Sequence, residues 1–341
     1  MYFDVHCGFF FVFKGVVGAC GISVLRSLLR VYNLIQTCSD SQGETESKRR
    51  LSTAAGPQKG SWRATLHFWC LAVLLSLVGS RVSSLVVLEF SLRVVFACAS
   101  EGLDGSSRGL DLLLIQSQFS LGCSLTCTLA FLHQGAPHSS LGLLLAAALS
   151  RALAGLCHGL WSHAVRLYPL HSTERYCGKC ITLQTSGHGI LGSLQRAVIL
   201  AFAVAAVAAT STVYEHFLSQ KDAVKFWTPL TLCYSMLVFY IQGEEDQHRQ
   251  PGAEALLHTV VVRLGGLLVL MLTLGSWSDV LHVLVAFVGE GVCMLPSQDL
   301  LQAALKVPPT ADEQTLPQIS QPQMSINVFL RKVFIYCLPC Q

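Results

Sequence analysis

The sequence predicts an all-α protein, a polytopic transmembrane helix bundle with about eight membrane segments. Only 13% of its 341 residues are charged, about half of the roughly 25% that is usual in soluble domains. Apolar residue types make up 52% of the chain. Many of them are gathered into runs of about 20 residues, the length that crosses a hydrocarbon core as a helix. The composition therefore indicates a multi-pass membrane protein whose main partner is the lipid bilayer.

The membrane segments are predicted as helices rather than strands. Their runs are long and lack the ten-residue alternation of a membrane β-barrel. A helix also satisfies its own backbone hydrogen bonds, as lipid requires. The eight segments are Gly8–Leu25, Leu66–Ala99, Leu112–Leu132, Leu141–Trp161, Ile190–Val213, Phe226–Ile241, Leu257–Trp277 and Val280–Leu295.

The second of these segments is too long for one upright crossing. Leu66–Ala99 contains 34 residues and would extend about 51 Å as a straight helix. A break near Gly79 would divide it into a hairpin with two short arms. The other interpretation is a single, strongly tilted helix, and the sequence leaves both open.

Four regions follow from the distribution of apolar and polar residues. Residues 1–36 are an N-terminal membrane segment, 37–64 a polar loop, 65–295 the multi-pass membrane domain, and 296–341 a tail rich in Pro and Gln. Composition predicts that the tail is disordered. The polar loop carries five basic residues, which favour the cytoplasmic side of the membrane. They are Lys48, Arg49, Arg50, Lys59 and Arg63.

Three charged residues, Arg81, Glu89 and Arg93, interrupt the second segment and form a candidate intramembrane charge cluster. Glu89 and Arg93 are four residues apart and therefore neighbours on a helix. Since an unpaired charge in mid-bilayer costs about 3 kcal/mol or more, we predict that these two residues form a structural pair. The alternative is an ion pathway. The choice between a structural pair and an ion pathway depends on whether Arg263 and Glu290 contact Glu89.

Cys177 and Cys180 form a single C-x-x-C in a polar connection, between His171 and His188. Thiolates and imidazoles are the ligands that zinc prefers. However, the histidines lack the spacing of a zinc finger. The sequence therefore favours a reduced pair or a disulfide over a metal site.

The remaining motifs predict neither an enzyme nor a cofactor site. Gly187–Gly192 fits G-x-G-x-x-G, but a membrane run follows it, which favours close helix packing over nucleotide binding. His158 and His163 flank Trp161, a pattern typical of anchoring in the lipid headgroups. Nucleophile-elbow, zinc-protease and Walker signatures are absent from the sequence. The net charge of +3 and the lack of a recognition motif argue against nucleic-acid binding.

Five stretches together resemble the vertebrate transmembrane protein 82 family. They are "GACGISVL", "VGSRVSSLVVLEFSLR", "FSLGCSLTC", "LHSTERYCGKC" and "FWTPLTLCYSMLVFY". The likeness extends from about Gly15 to about Leu295. It implies a multi-pass membrane protein from a family of uncharacterised biochemical role, and it brings no catalytic or binding residues with it.

The favoured function is that of a non-enzymatic, carrier- or channel-like membrane protein. The alternatives are a non-transporting scaffold or interaction protein and, third, a membrane-embedded enzyme. Transport requires that polar groups from several helices converge at one place in the membrane. A scaffold requires only that buried charges neutralise one another. The sequence specifies no organelle and no protein partner.

We expect loop 37–64 to face the cytoplasm. Asn33 and Asn327, the asparagines of the chain, lack a Ser or Thr two residues later, so no native N-glycosylation acceptor is present. An acceptor inserted near Gln58 should therefore remain unmodified in microsomes. Its glycosylation would show that the loop faces the lumen and would contradict the predicted orientation. An acceptor near Gly105 should remain unmodified in a hairpin and become glycosylated in a single span.

Overall fold

The computed structural model describes residues 2–40, 61–100, 107–134, 139–171, 177–216, 261–269 and 277–306. The regular structure in these ranges is helical, which agrees with the predicted all-α class. The helices are α1 (Tyr2–Asp40), α2 (Ser61–Leu77), α3 (Ser80–Ser100), α4 (Ser107–Gln116), α5 (Gln118–Leu132), α6 (Ser139–His171), α7 (Gly178–Ser186), α8 (Ile190–His216), α9 (261–269), α10 (Trp277–Met294) and α11 (Gln298–Lys306). One-turn 3-10 helices, Gly187–Gly189 and Leu295–Ser297, connect α7 to α8 and α10 to α11.

Four of the described helical stretches are long and apolar enough to cross a membrane, and α2 and α3 together give a fifth if they count as one bent span. The four are Val12–Cys38, Ser140–Tyr168, Gly178–Ser211 and Trp277–Ala303. The predicted number of about eight is therefore not confirmed. One reason is that the run Leu112–Leu132 is divided at Ser117 into the short helices α4 and α5. Another is that Phe226–Ile241 lies outside the described residues.

The long second segment is broken at Gly79, where the chain bends by 104° between α2 and α3. Gly79 has a φ of +70°, a left-handed conformation that costs little only for glycine. The helix resumes at Ser80, and the N–H of Ser83 donates to the Gly79 carbonyl at 3.1 Å. A single straight helix is thus excluded. The bent pair fits either one broken span or a re-entrant segment, and the two-crossing hairpin stays a prediction.

Two predicted region boundaries differ from the helix ends. α1 continues to Asp40, and α2 begins at Ser61. The remainder of the predicted loop lies outside the described residues. After α10, helix α11 extends to Lys306, so the first part of the predicted disordered tail is helical. Apolar side chains explain this, because Leu300 and Leu301 are buried in the main core.

Helix α1 packs against α2, α5 and α6, while α3 packs against α5 and α8. Small residues allow the close approach of α1 and α5: a Cβ added at Gly18 would lie 2.9 Å from the Gly122 carbonyl oxygen. Between α3 and α8, the rings of Phe90 and Phe202 pack with their centroids 4.8 Å apart. The interior is therefore built on α1, α3 and α5.

Helix α6 presents an apolar outer face. Its exposed large apolar side chains are Leu141, Leu144, Leu145, Leu149, Leu153 and Leu156. Gly155 and Gly159, a small-residue motif that favours close helix packing, are also exposed, and a Cβ at either would meet nothing within 4 Å in the described part of the chain. This face is suited to contact lipid.

Replacing Gly79 should destabilise the bend. In Gly79→Ala the left-handed backbone is strained by about 1–3 kcal/mol, and the new Cβ would lie 3.0 Å from the His282 ring. We expect a lower thermal unfolding midpoint in detergent, measured by fluorescence-detected size exclusion. Gly155→Ala is the matched control and should leave the midpoint unchanged or raise it slightly, because alanine is the better helix former and its Cβ meets open space. An unchanged midpoint in Gly79→Ala would show that the bend does not depend on this conformation.

Candidate functional site

Three helices bring two carboxylates and one guanidinium together in the interior. Arg263 of α9 contacts Glu89 of α3, with Nε 2.7 Å from Oε1 and Nη2 donating to Oε2 at 3.1 Å. Its Nη2 also lies 3.5 Å from Oε1 of Glu290 on α10. The exposed fractions are 0%, 3% and 2% for Arg263, Glu89 and Glu290. We call these three residues the charge centre.

The positions of these charges on their helices explain why they point inward. On α3 every position from Val82 to Val87 is buried, and so are Glu89, Phe90 and Arg93, so most sides of this helix lie in the interior. On α10 the buried positions are Asp279, Val280, Val283, Ala286, Gly289, Glu290 and Cys293. The charged side chains of the centre therefore extend from the same helix faces that pack the core.

The two carboxylates are paired unequally. Glu89 has two close contacts with Arg263: Nη2 donates a hydrogen bond to Oε2, and Nε lies near Oε1 as an ion-pair contact without hydrogen-bond geometry. Glu290 has one longer contact, and its Oε2 is buried with no hydrogen-bond partner among the described residues. Removing an ionised carboxylate from water is costly unless it is neutralised or hydrogen-bonded. Glu290 is thus the less stabilised of the two.

Sequence reasoning predicted a cluster of Arg81, Glu89 and Arg93. In the structure Glu89 and Arg93 are both buried on α3, whereas Arg81 lies about 12 Å before Glu89 by helical rise. Arg93 is buried, donates to Oε1 of Gln116 at 2.6 Å and lies over the Phe90 ring at 5.1 Å. Arg81 is half exposed at the start of α3. Its Nη1 lies 3.5 Å from Oδ2 of Asp279.

Glu89 has a close ion-pair partner that the sequence had not assigned to it. The local i,i+4 rule favoured Arg93, and the structure shows an ion pair of Glu89 with Arg263; the pairing of Glu89 with Arg93 stays a prediction. Arg263 and Glu290 had been identified in the sequence as charges inside apolar segments. No local signal shows that they meet Glu89, because Arg263 and Glu89 are 174 positions apart.

A second group of polar residues lies near the end of α10. Gln118 of α5 connects α1 with the 3-10 turn after α10: its Oε1 accepts from Arg26 Nη2 at 3.1 Å, and its Nε2 donates to Ser297 at 2.9 Å. His67 Nε2 lies 2.8 Å from the Val292 carbonyl oxygen. This group adds to the polar contacts along the buried side of α10.

The structure also places the glycine motif. Gly187 is in the 3-10 turn between α7 and α8, and a Cβ added there would lie 2.7 Å from Ile35 of α1. A helix, α7, precedes this motif, whereas a dinucleotide fingerprint follows a strand. Close packing therefore fits Gly187 alone, because a Cβ added at Gly189 or Gly192 would meet nothing within 4 Å in the described part of the chain.

Among the described residues, one group could hold a metal ion: Cys177, Cys180 and His163, whose ligand atoms all lie within 4.8 Å of one another. His163 Nε2 lies 3.5 Å from Cys177 Sγ and 3.4 Å from Cys180 Sγ. Cys177 precedes the first turn of α7, and hydrogen bonding by the Cys180 backbone N–H lowers the pKa of its thiol. Sequence reasoning had grouped the cysteines with His171 and His188 and missed His163, which it assigned to anchoring.

A comparison with known families identifies the chain. The family model described as Transmembrane protein 82 matches residues 9–315. The chain belongs to the transmembrane protein 82 family. No solved structure matches it.

Membership in the transmembrane protein 82 family confirms the resemblance read from the five stretches. Together with the apolar helices, it confirms a multi-pass membrane protein in a lipid bilayer environment. The charge centre therefore lies in a protein whose surroundings supply little water to solvate it.

The order of destabilisation within the charge centre can be predicted. Arg263→Gln leaves two carboxylates without their cation, a loss of about 3–5 kcal/mol for a broken buried pair. Glu89→Gln leaves Arg263 with Glu290 and should cost less. Glu290→Gln keeps the 2.7 Å pair and should cost least. Thermal unfolding in detergent measures this order, with Arg196→Gln on the exposed side of α8 as the control.

A different order would contradict the unequal pairing. In particular, a Glu290→Gln variant that unfolds more readily than Arg263→Gln would show that Glu290 carries the main ion pair. A general loss of stability in Arg196→Gln would show instead that any change of charge destabilises this protein in detergent.

Proposed function

We propose that the protein is a non-enzymatic, carrier- or channel-like membrane protein in which the charge centre binds the transported ion. The observation that supports this function is the convergence of Glu89, Arg263 and Glu290 from three helices on one buried point. Charged groups inside a membrane domain are costly and most often belong to ion pathways or their counter-ions.

The cargo that fits this centre best is a proton. Two carboxylates and one guanidinium give the charge centre itself a net charge of −1 when all are ionised, and Arg93 is a further buried cation that acts on Glu290. Glu290 Oε2 has no hydrogen-bond partner among the described residues, so a proton could bind there without disturbing the close pair of Glu89 with Arg263. Glu290 is therefore the proposed proton-binding residue, and Arg263 its counter-ion.

Other titratable groups act on Glu290 from the helices around it. Arg263, Glu89 and Arg93 act on Glu290 electrostatically, and the thiols of Cys123 and Cys293 also interact with it. A group that both accepts and releases its proton is what a carrier requires.

Buried polar groups recur along α10 and in the 3-10 turn that follows it. Asp279 and Glu290 on α10 and Ser297 in the turn are all buried, and helical rise separates them by about 16 Å and 10 Å. Asp279 pairs with Arg81, while the Gln118 side chain donates to Ser297. A proton route along α10 through the charge centre would use these groups, with water bridging the gaps between them.

A membrane scaffold is the second candidate. The observation that favours it is the close pair of Glu89 and Arg263, whose charges neutralise each other within the interior. In a scaffold, Glu290 would serve only to complete this pairing. The two functions differ in whether a change at Glu290 affects ion movement without affecting the fold.

Proton flux through purified protein distinguishes the two. The full chain is reconstituted into liposomes that contain a pH-sensitive dye, and a potassium gradient with valinomycin drives proton entry. We expect acidification with the wild type and with Arg196→Gln, and a rate equal to that of protein-free liposomes with Glu290→Gln. Sodium and potassium gradients are tested in parallel.

Two results would contradict this proposal, one for the transport function and one for the role of Glu290. One is a folded wild type that moves neither protons, sodium nor potassium, which would favour the scaffold. The other is a Glu290→Gln variant with wild-type proton flux, which would remove Glu290 from the pathway. Movement of sodium or potassium alone would retain the carrier but reject the proton as its cargo.

A further inference from the structure

The geometry points to a zinc site formed by His163, Cys177 and Cys180. His163 is in the last part of α6. Cys177 directly precedes α7, and Cys180 lies within its first turn. Two thiolates and an imidazole are a common zinc ligand set. The inference does not depend on the charge centre or on transport.

The distances between ligand atoms match those of a tetrahedral zinc site. Zinc–sulfur bonds of about 2.3 Å and zinc–nitrogen bonds of about 2.0–2.1 Å, at tetrahedral angles, place sulfur and nitrogen about 3.6 Å apart. The observed separations from His163 Nε2 are 3.5 Å to Cys177 and 3.4 Å to Cys180. Little rearrangement is needed for all three atoms to bind one ion.

A metal accounts for the pattern better than hydrogen bonds alone. A neutral imidazole carries one proton on one of its two nitrogens. His163 Nε2 faces two sulfur atoms at similar distances, so one N–H cannot be well directed at both. A zinc ion would use the lone pair of Nε2 and both sulfurs.

The local fold presents the two cysteines together. Cys177 has an extended backbone (φ −112°, ψ 125°) just outside α7, and Cys180 is within its first turn. Backbone N–H groups at this helix start hydrogen-bond to the Cys177 sulfur. Zinc binding would release the two thiol protons to water and leave a fourth coordination position for another ligand.

The site would hold α6 to α7 beside a small apolar cluster. Cys180 is buried in this cluster, and Cys177 packs against it. The other buried members are Val31, Ile35, Ala164, Tyr168 and Leu183. Cys177 is only partly buried, so an ion can reach the site from one side. A metal bridge there would fix the connection between two membrane helices.

Metal content of the purified full chain tests the inference. The protein carries a tag without histidine, because a histidine tag would bind zinc itself, and it is dialysed against a weak chelator before elemental mass spectrometry. We expect about one zinc per chain in the wild type. Cys177→Ser, Cys180→Ser and His163→Gln should each lose most of it.

Matched controls separate this site from the rest of the 14 cysteines. His158→Gln, on the exposed side of the same helix, and Cys70→Ser, exposed on α2, should retain wild-type zinc. His163→Cys should also retain it, because three thiolates bind zinc. This last variant distinguishes a lost ligand from a misfolded chain.

Three results would overturn the zinc site. The first is wild-type zinc content in His163→Gln. The second is a zinc-free wild type whose Cys177 and Cys180 react with a maleimide only after reduction, which indicates a disulfide. The third is a zinc-free wild type in which both thiols react at once, which indicates a hydrogen-bonded reduced pair.

Discussion

The bundle has to neutralise an arginine that is removed from water. Arg263 has no exposed surface, and a guanidinium stays charged under any condition a protein experiences. Two carboxylates from different helices supply the compensating charge, which fixes α3, α9 and α10 relative to one another. Any movement that separates Glu89 from Arg263 would leave both charges in a medium that cannot solvate them. The helix arrangement therefore depends on this pair.

Apolar runs predicted helical membrane segments well, but they did not predict how the chain divides them. Length and composition show that a segment belongs in lipid, whereas a break depends on one backbone conformation. Gly79 illustrates this, since many glycines occur in these runs and only its left-handed φ produces the 104° bend. Ser117 divides another run with no sequence signal stronger than that of the serines around it.

The candidate sites show the same limit at the level of side chains. Local spacing reveals neighbours on one helix, so Glu89 and Arg93 were matched, and the C-x-x-C was recognised. Tertiary partners have no such spacing. Arg263 lies 174 residues from Glu89, and His163 lies 14 residues before Cys177 on a different helix. Sequence reasoning identified the residue types correctly and could not determine which of them meet.

In lipid, apolar side chains give little preference for one helix neighbour over another, because hydrocarbon surrounds them in either case. Polar contacts and close-packed small residues must then select the neighbours. The charge centre selects α3, α9 and α10, Gly18 and Gly122 select α1 and α5, and the cluster at His163 lies where α6 meets α7. The residues proposed to bind ions are thus also the residues that specify the fold. Functional variants of this protein must consequently be judged on ion binding and stability together.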